Sequence, residues 1–119
     1  MKMEKKTGGC QCKKVRYEVE IDLTQPVIEC NCSICEGKGM LLAFIPEEQM
    51  TISSGDEVLT EYRFNTGKIA HLFCRVCGVQ AFARGTGPQG EPTYAVNVRT
   101  VDDIDLNSLT RMLYDGKSR

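Results

Sequence analysis

The clearest pattern in the chain is a period-two alternation from Val15 to Ile21. Val15, Tyr17, Val19 and Ile21 alternate with Lys14, Arg16, Glu18 and Glu20, so one face is apolar and the other charged, as in a half-buried β-strand. A turn around Gln25-Pro26 leads into a short strand ending at Cys30. Met40 to Ile45 is an apolar run too short for a helix, which predicts a buried strand. Pro46-Glu47-Glu48 reads as one helical turn or a tight loop. Met50 to Ser53, Val58 to Phe64, Ile69 to Phe73, Val79 to Arg84 and Thr93 to Val98 are further short strands. Between them stand Ser54-Gly55-Asp56, Asn65-Thr66-Gly67, a segment around Cys74, and the glycine-rich stretch from Gly85 to Gly90. Turn signals at this spacing predict an all-β domain. The tail is less regular: Asn107 to Tyr114 fits either one helix or an extended segment ending in an Asp115-Gly116 turn.

These elements predict a mainly β fold, a small antiparallel arrangement with few or no long helices, over residues 1–119 as one domain. A chain of 119 residues without tryptophan can bury one modest core, and a metal staple would add to its stability. The formal net charge is -1, with both signs mixed along the chain. That balance gives no field and no basic stripe with which to gather nucleic acid or an anionic membrane surface, so neither is an expected partner. The N-terminal MKMEKKTGG is charged and no apolar stretch follows it, unlike a secretory signal. No run of about eighteen apolar residues occurs. The expected compartment is the cytoplasm, and the oligomeric state is open.

The candidate chemistry lies in seven cysteines, an odd number that cannot pair fully into disulfides within one chain. Cys10 and Cys12 form a CxC, Cys30, Cys32 and Cys35 a CxCxxC, and Cys74 and Cys77 a CxxC. In a reducing cytosol such clustered spacings mean metal or redox chemistry. Zinc takes four soft ligands tetrahedrally, and two short knuckles clasped across a fold supply them. Cys74-Arg75-Val76-Cys77-Gly78 is one knuckle, with a glycine placed where the turn needs a left-handed residue. Gly8-Gly9-Cys10-Gln11-Cys12 is its natural complement, so Cys10, Cys12, Cys74 and Cys77 are expected to form a closed, structural site. Spacing alone also permits the CxxC pair to join the CxCxxC cluster. With Cys10, Cys12, Cys74 and Cys77 closed on one ion, Cys30, Cys32 and Cys35 leave an exchangeable fourth position, the pattern of a reactive zinc site. His71, the single histidine, alternates within its strand and reads as an ordinary strand residue sooner than as a ligand.

Gly-Gly-Cys-Gln-Cys with its Val-Arg-Tyr strand, Cys30-Asn31-Cys32-Ser33-Ile34-Cys35, Phe73 to Gly78, and Val-Asn-Val-Arg-Thr-Val-Asp-Asp occur in that order. Together they resemble the glutathione-dependent formaldehyde-activating enzyme family, which includes centromere protein V, from about Gly8 to Gly116. The resemblance implies a mostly antiparallel β fold and two zinc ions per chain. It assigns the CxC and CxxC to the structural ion and the CxCxxC to a second, catalytic one, with partial occupancy of that second site allowed. It also implies condensation of glutathione with formaldehyde to S-hydroxymethylglutathione, a carbon–sulfur lyase reaction in reverse. The family commonly carries histidine where Asn31 stands. A thiol at Cys30, Cys32 and Cys35 would meet Asn31 and Lys38 first, with Arg75 and Arg99 as further cations. A non-catalytic, zinc-stapled binding or structural module and a thiol-redox or metal-handling protein are the competing readings.

Overall fold

The structure is a computed structural model that describes residues 3–63, 69–87 and 89–115. Phe64, the Asn65-Thr66-Gly67 turn, Pro88 and Gly116 lie outside these residues. Among the described residues ten strands form two sheets. β1 (Glu4–Gly9), β2 (Arg16–Ile21) and β5 (Met50–Ser54) make a three-stranded antiparallel sheet in the order β1-β2-β5. β3 (Val27–Cys30), β4 (Leu42–Pro46), β6 (Leu59–Tyr62), β7 (Ala70–Cys74), β8 (Gln80–Thr86), β9 (Pro92–Asn97) and β10 (Arg111–Tyr114) make the other, in the order β10-β3-β4-β9-β8-β7-β6. All its neighbours are antiparallel except β10, which runs parallel to β3 with Arg111 opposite Val27 and Tyr114 opposite Cys30.

β2 (Arg16–Ile21) forms within the alternating segment from Val15 to Ile21 as its pattern predicts. Tyr17, Val19 and Ile21 are buried and pack with Ile45, Phe82, Tyr94 and Val96 of the large sheet in the main core. Tyr17 meets Phe82 edge-on at 5.9 Å between ring centres, and Phe82 meets Tyr94 at 5.5 Å and a right angle. The positive ring edges thus face π-clouds, the favoured aromatic arrangement. The buried Tyr17 hydroxyl is paired too. Thr100 Oγ1 donates to the Asn97 carbonyl at 2.7 Å, so the Tyr17 hydroxyl donates to Thr100 Oγ1, also at 2.7 Å. On the outer side of this sheet Arg16 and Thr7 both bond to Asp102, tying β1 and β2 to the segment after β9.

The helical turn expected at Pro46-Glu47-Glu48 is a 3-10 turn at Glu47–Gln49. The cysteine loop differs from expectation: after Cys32 it contains a one-and-a-half-turn helix, α1 (Ser33–Lys38), whose buried residue is Cys35. The tail is a 3-10 turn at Leu106–Ser108 followed by strand β10, the extended one of the two forms its sequence allows. All four β10 side chains are exposed, so the strand is held by its backbone ladder to β3 and its side chains carry no core pattern. No helix among the described residues is long and apolar enough to cross a membrane.

Candidate metal centres

The seven cysteines are all free thiols and gather into two groups. Cys10, Cys12, Cys74 and Cys77 place their sulfurs within 4.8 Å of one another. Cys10 and Cys12 are 3.6 Å apart, and Cys12 and Cys74 are 3.7 Å apart. A regular tetrahedron with Zn–S near 2.3 Å has an S···S edge of about 3.8 Å, so these separations fit zinc and are far too long for a disulfide. The partition of the CxC with the CxxC, one of two that spacing allowed, is therefore the one the fold makes. Zinc is compatible with this donor set.

The two halves of the group are built alike. In the first, Cys10 N–H bonds to the Val15 carbonyl at 3.1 Å and Lys13 N–H to the Cys10 carbonyl at 3.2 Å. In the second, Cys74 N–H bonds to the Val79 carbonyl at 3.1 Å and Gly78 N–H to the Cys74 carbonyl at 2.8 Å. Each knuckle has one left-handed residue, Lys13 at φ 68° and Gly78 at φ 82°. Gly78 thus takes the conformation that its place after the second cysteine predicted. Gly9 serves differently: a Cβ there would lie 2.0 Å from the Val15 carbonyl oxygen, so only glycine lets β1 lead this close to the turn. Backbone N–H groups also aim at sulfur, from Val15 to Cys10 at 3.3 Å and from Val76 to Cys74 at 3.4 Å. Such donors favour the thiolate a metal requires. Burial raises the Cys77 thiol, but hydrogen bonds from Val79 N–H and Cys12 N–H and the neighbouring thiols outweigh it and bring Cys77 down to about 6.

Cys30, Cys32 and Cys35 form the second group, also within 4.8 Å. Cys30 ends β3, Cys32 is the residue before α1, and Cys35 is in the helix. Cys32 N–H points at Cys30 Sγ at 3.4 Å, repeating the contact of the first group. Burial raises the thiols of Cys35 and Cys30, whereas backbone and side-chain hydrogen bonds from Cys35 outweigh burial at Cys32 and lower it. One member of the trio is therefore predisposed to ionise. No fourth cysteine, histidine or carboxylate joins these three among the described residues.

All three line a cavity of about 440 Å³ on the face of the large sheet opposite the main core. The register explains the space. Phe44 of β4, Ala95 of β9, Ala83 of β8 and His71 of β7 are successive cross-strand partners, so two alanines lie between two ring-bearing side chains. His71 is buried and belongs to this wall. Its setting is specific. Lys38 Nζ donates to Gln80 Oε1 at 2.6 Å, and an ammonium has no acceptor, so the Gln80 amide oxygen must face Lys38. Gln80 Nε2 therefore faces His71 Nδ1, at 3.3 Å, and donates to it. His71 is thereby held as the neutral tautomer with its proton on Nε2, and burial and the Lys38 charge both lower its pKa. Sequence reasoning placed His71 on a strand correctly but missed this chain of contacts. Its three members come from α1, β7 and β8 and share no motif.

The other expected substrate-facing residues sit elsewhere. Asn31 donates from its side chain to Asp115 at 3.1 Å and from its backbone to the Tyr114 carbonyl, clamping β10. Lys38 engages Gln80 and lies over the Phe73 ring at 5.0 Å. Arg99 donates to the Gly39 carbonyl at 2.8 Å, and Arg75 belongs to the four-cysteine knuckle. None of the four is among the residues lining the cavity.

A mainly β fold with one four-cysteine and one three-cysteine cluster, the second on a cavity wall, is that of a cysteine-rich protein whose two clusters could hold metal ions. Residues 5–114 match the family model described as glutathione-dependent formaldehyde-activating enzyme, and the chain belongs to that family. The fold is similar to the crystal structure of a Rhodobacter sphaeroides protein. The TM-score is 0.78 at 29% identity, over 90% of this chain and 97% of that one.

Proposed function

We propose that this chain binds two zinc ions, one structural and one reactive, and that the second serves addition of a thiol to a small aldehyde. The family description supplies glutathione and formaldehyde as the reference pair. The observation that carries the reading is the contrast between the clusters: four sulfurs close the first, while three border a cavity in the second. Cys30, Cys32 and Cys35 would hold the second ion. When bound, zinc would keep an added thiol as thiolate at neutral pH, since a coordinating thiol is deprotonated.

The chain's own residues then shape the rest. The sheet floor and α1 shelter the sulfur from bulk water, and the neutral His71 ring adds no positive charge to compete for thiolate. In the overall reaction a sulfur–carbon bond forms and the carbonyl π-bond opens. The thiol's proton ends on the oxygen, giving a hydroxymethyl thioether. The reverse is a carbon–sulfur lyase reaction, and no redox partner is required.

Exchange NMR with ¹³C-formaldehyde and glutathione tests this directly. The zinc-loaded protein should speed interconversion of free and adduct carbon above the uncatalysed rate, and Cys35→Ser should abolish the gain. Equal exchange with and without protein contradicts a catalytic role and favours a structural module. Loss of zinc with disulfide formation among Cys30, Cys32 and Cys35 under mild oxidant would favour the redox reading.

A further inference from the structure

The cavity beside Cys30, Cys32 and Cys35 is unlike a site for a charged peptide. Its floor is alanine and glycine, Ala83, Gly85 and Ala95, and its sides include Leu42, Met40 and Ile28. Three exposed large side chains, Phe44 at 59%, Ile69 at 52% and Tyr114 at 44%, all border it. Apolar surface left in water around one concavity is surface a ligand would cover with gain. Its volume of about 440 Å³ falls within the range of small-molecule pockets.

Charge points the same way. Among the described lining residues only Arg84 is charged. Its guanidinium lies 3.8 Å from the Glu47 carboxylate and over the ring of Tyr94, a main-core residue. Lys38 and Arg99, the other cations near α1, are engaged with Gln80 and the Gly39 carbonyl. Glutathione carries two carboxylates and an ammonium, and each loses hydration on entering a cavity whose described polar lining side chains besides Arg84 and the cysteines are the uncharged His71, Thr86, Thr93 and Tyr114. A sulfur that reaches the three cysteines carries its own substituent along this apolar wall.

Resting on the reading of the trio as a thiol site, we propose that the thiol taken here has an uncharged hydrophobic body, an aryl or alkyl thiol, in preference to glutathione. The specificity comes from Phe44 and Ile69 at the rim and from the space above Ala83 and Ala95. Cysteine chemistry at the trio then selects for the sulfur and the cavity selects for what the sulfur is attached to.

The test uses the full chain loaded with cobalt(II), whose sulfur-to-metal absorption reports a newly bound thiolate. The protein is titrated with 2-phenylethanethiol, 2-mercaptoethanol and glutathione, each corrected for its own thiolate fraction. The expected result is half-saturation by 2-phenylethanethiol at a concentration at least tenfold below that for glutathione, which corresponds to about 1.4 kcal/mol. Phe44→Ser and Ile69→Ser, at exposed positions that the core does not need, should each shrink that ratio severalfold. Glutathione binding as tightly as the aryl thiol, or a ratio unchanged in both variants, overturns the proposal while leaving the thiol site intact. A spectrum that no thiol alters overturns the thiol site itself, and the preference with it.

Discussion

Cys12 Sγ lies 3.7 Å from Cys74 Sγ although 62 residues separate them in the chain. The contact joins the turn between β1 and β2 to the turn between β7 and β8, and so links the small sheet to the large one. A metal there would act as a long-range cross-link. If it follows the loop-length relation for disulfides, closing a loop of this size is worth about 4 kcal/mol. Cys74→Ser is therefore expected to lower unfolding free energy by on the order of 4 kcal/mol in the zinc-loaded protein. Cys35→Ser, in a cluster spanning one loop, should cost clearly less. Urea unfolding of both variants at equal zinc checks the order, and an equal loss contradicts it.

The two knuckles place different residues in the same left-handed conformation, and this gives paired substitutions with opposite signs. Gly78 has no atom within 4 Å of where a Cβ would sit, so Gly78→Ala would add only conformational strain. A destabilisation of about 1–2 kcal/mol is expected. Lys13 already bears that strain at φ 68°, so Lys13→Gly should be neutral or stabilising by up to about 1 kcal/mol. Denaturant midpoints at fixed zinc concentration report both. A loss at Lys13→Gly as large as that at Gly78→Ala would contradict the equivalence of the knuckles.

His71 makes stability depend on pH in a definite direction. Its folded pKa is lowered, first by burial and then by the charge of Lys38. The unfolded chain therefore binds the proton at higher pH than the folded one does. The stability held by neutral His71 is fully present above the unfolded value of about 6.5 and is lost as pH falls toward the depressed folded value. Acid also protonates cysteines and loosens metal, so the comparison must be between proteins. His71→Asn should show a shallower fall in stability between pH 7.5 and pH 5.5 than the parent, measured by urea unfolding. A parallel fall would mean that His71 is not neutral in the fold.

What could be read from the sequence depended on how local each signal is. β2 was legible because its alternation and its burial coincide in Val15 to Ile21. The four-cysteine group was legible as a pair of knuckles, with the left-handed glycine at Gly78 as part of the pattern, though the family resemblance favoured the partition that the fold makes. β1 was not legible, because Glu4–Gly9 is charged at one end and glycine at the other and is buried only at Gly8 and Gly9. α1 is six residues long and includes a glycine, too short for a helical period to appear. β10 has four exposed side chains and exists through its parallel ladder with β3, a partner more than eighty residues away. The Lys38–Gln80–His71 chain spans 42 residues at one link, and no spacing rule points to it. The cavity was equally hidden, since it arises from the cross-strand alignment of Ala83 with Ala95.

The cysteines divide into a closed four and an open three, and each group is proposed to hold zinc. The most direct measurement is zinc content per chain by mass spectrometry, with accessible thiols counted by alkylation on the same sample. Two zinc ions per parent chain are predicted, one of them lost first to a mild chelator together with exposure of three thiols, and one ion in Cys35→Ser. A parent chain with one tightly held zinc and three thiols alkylated at once would contradict it.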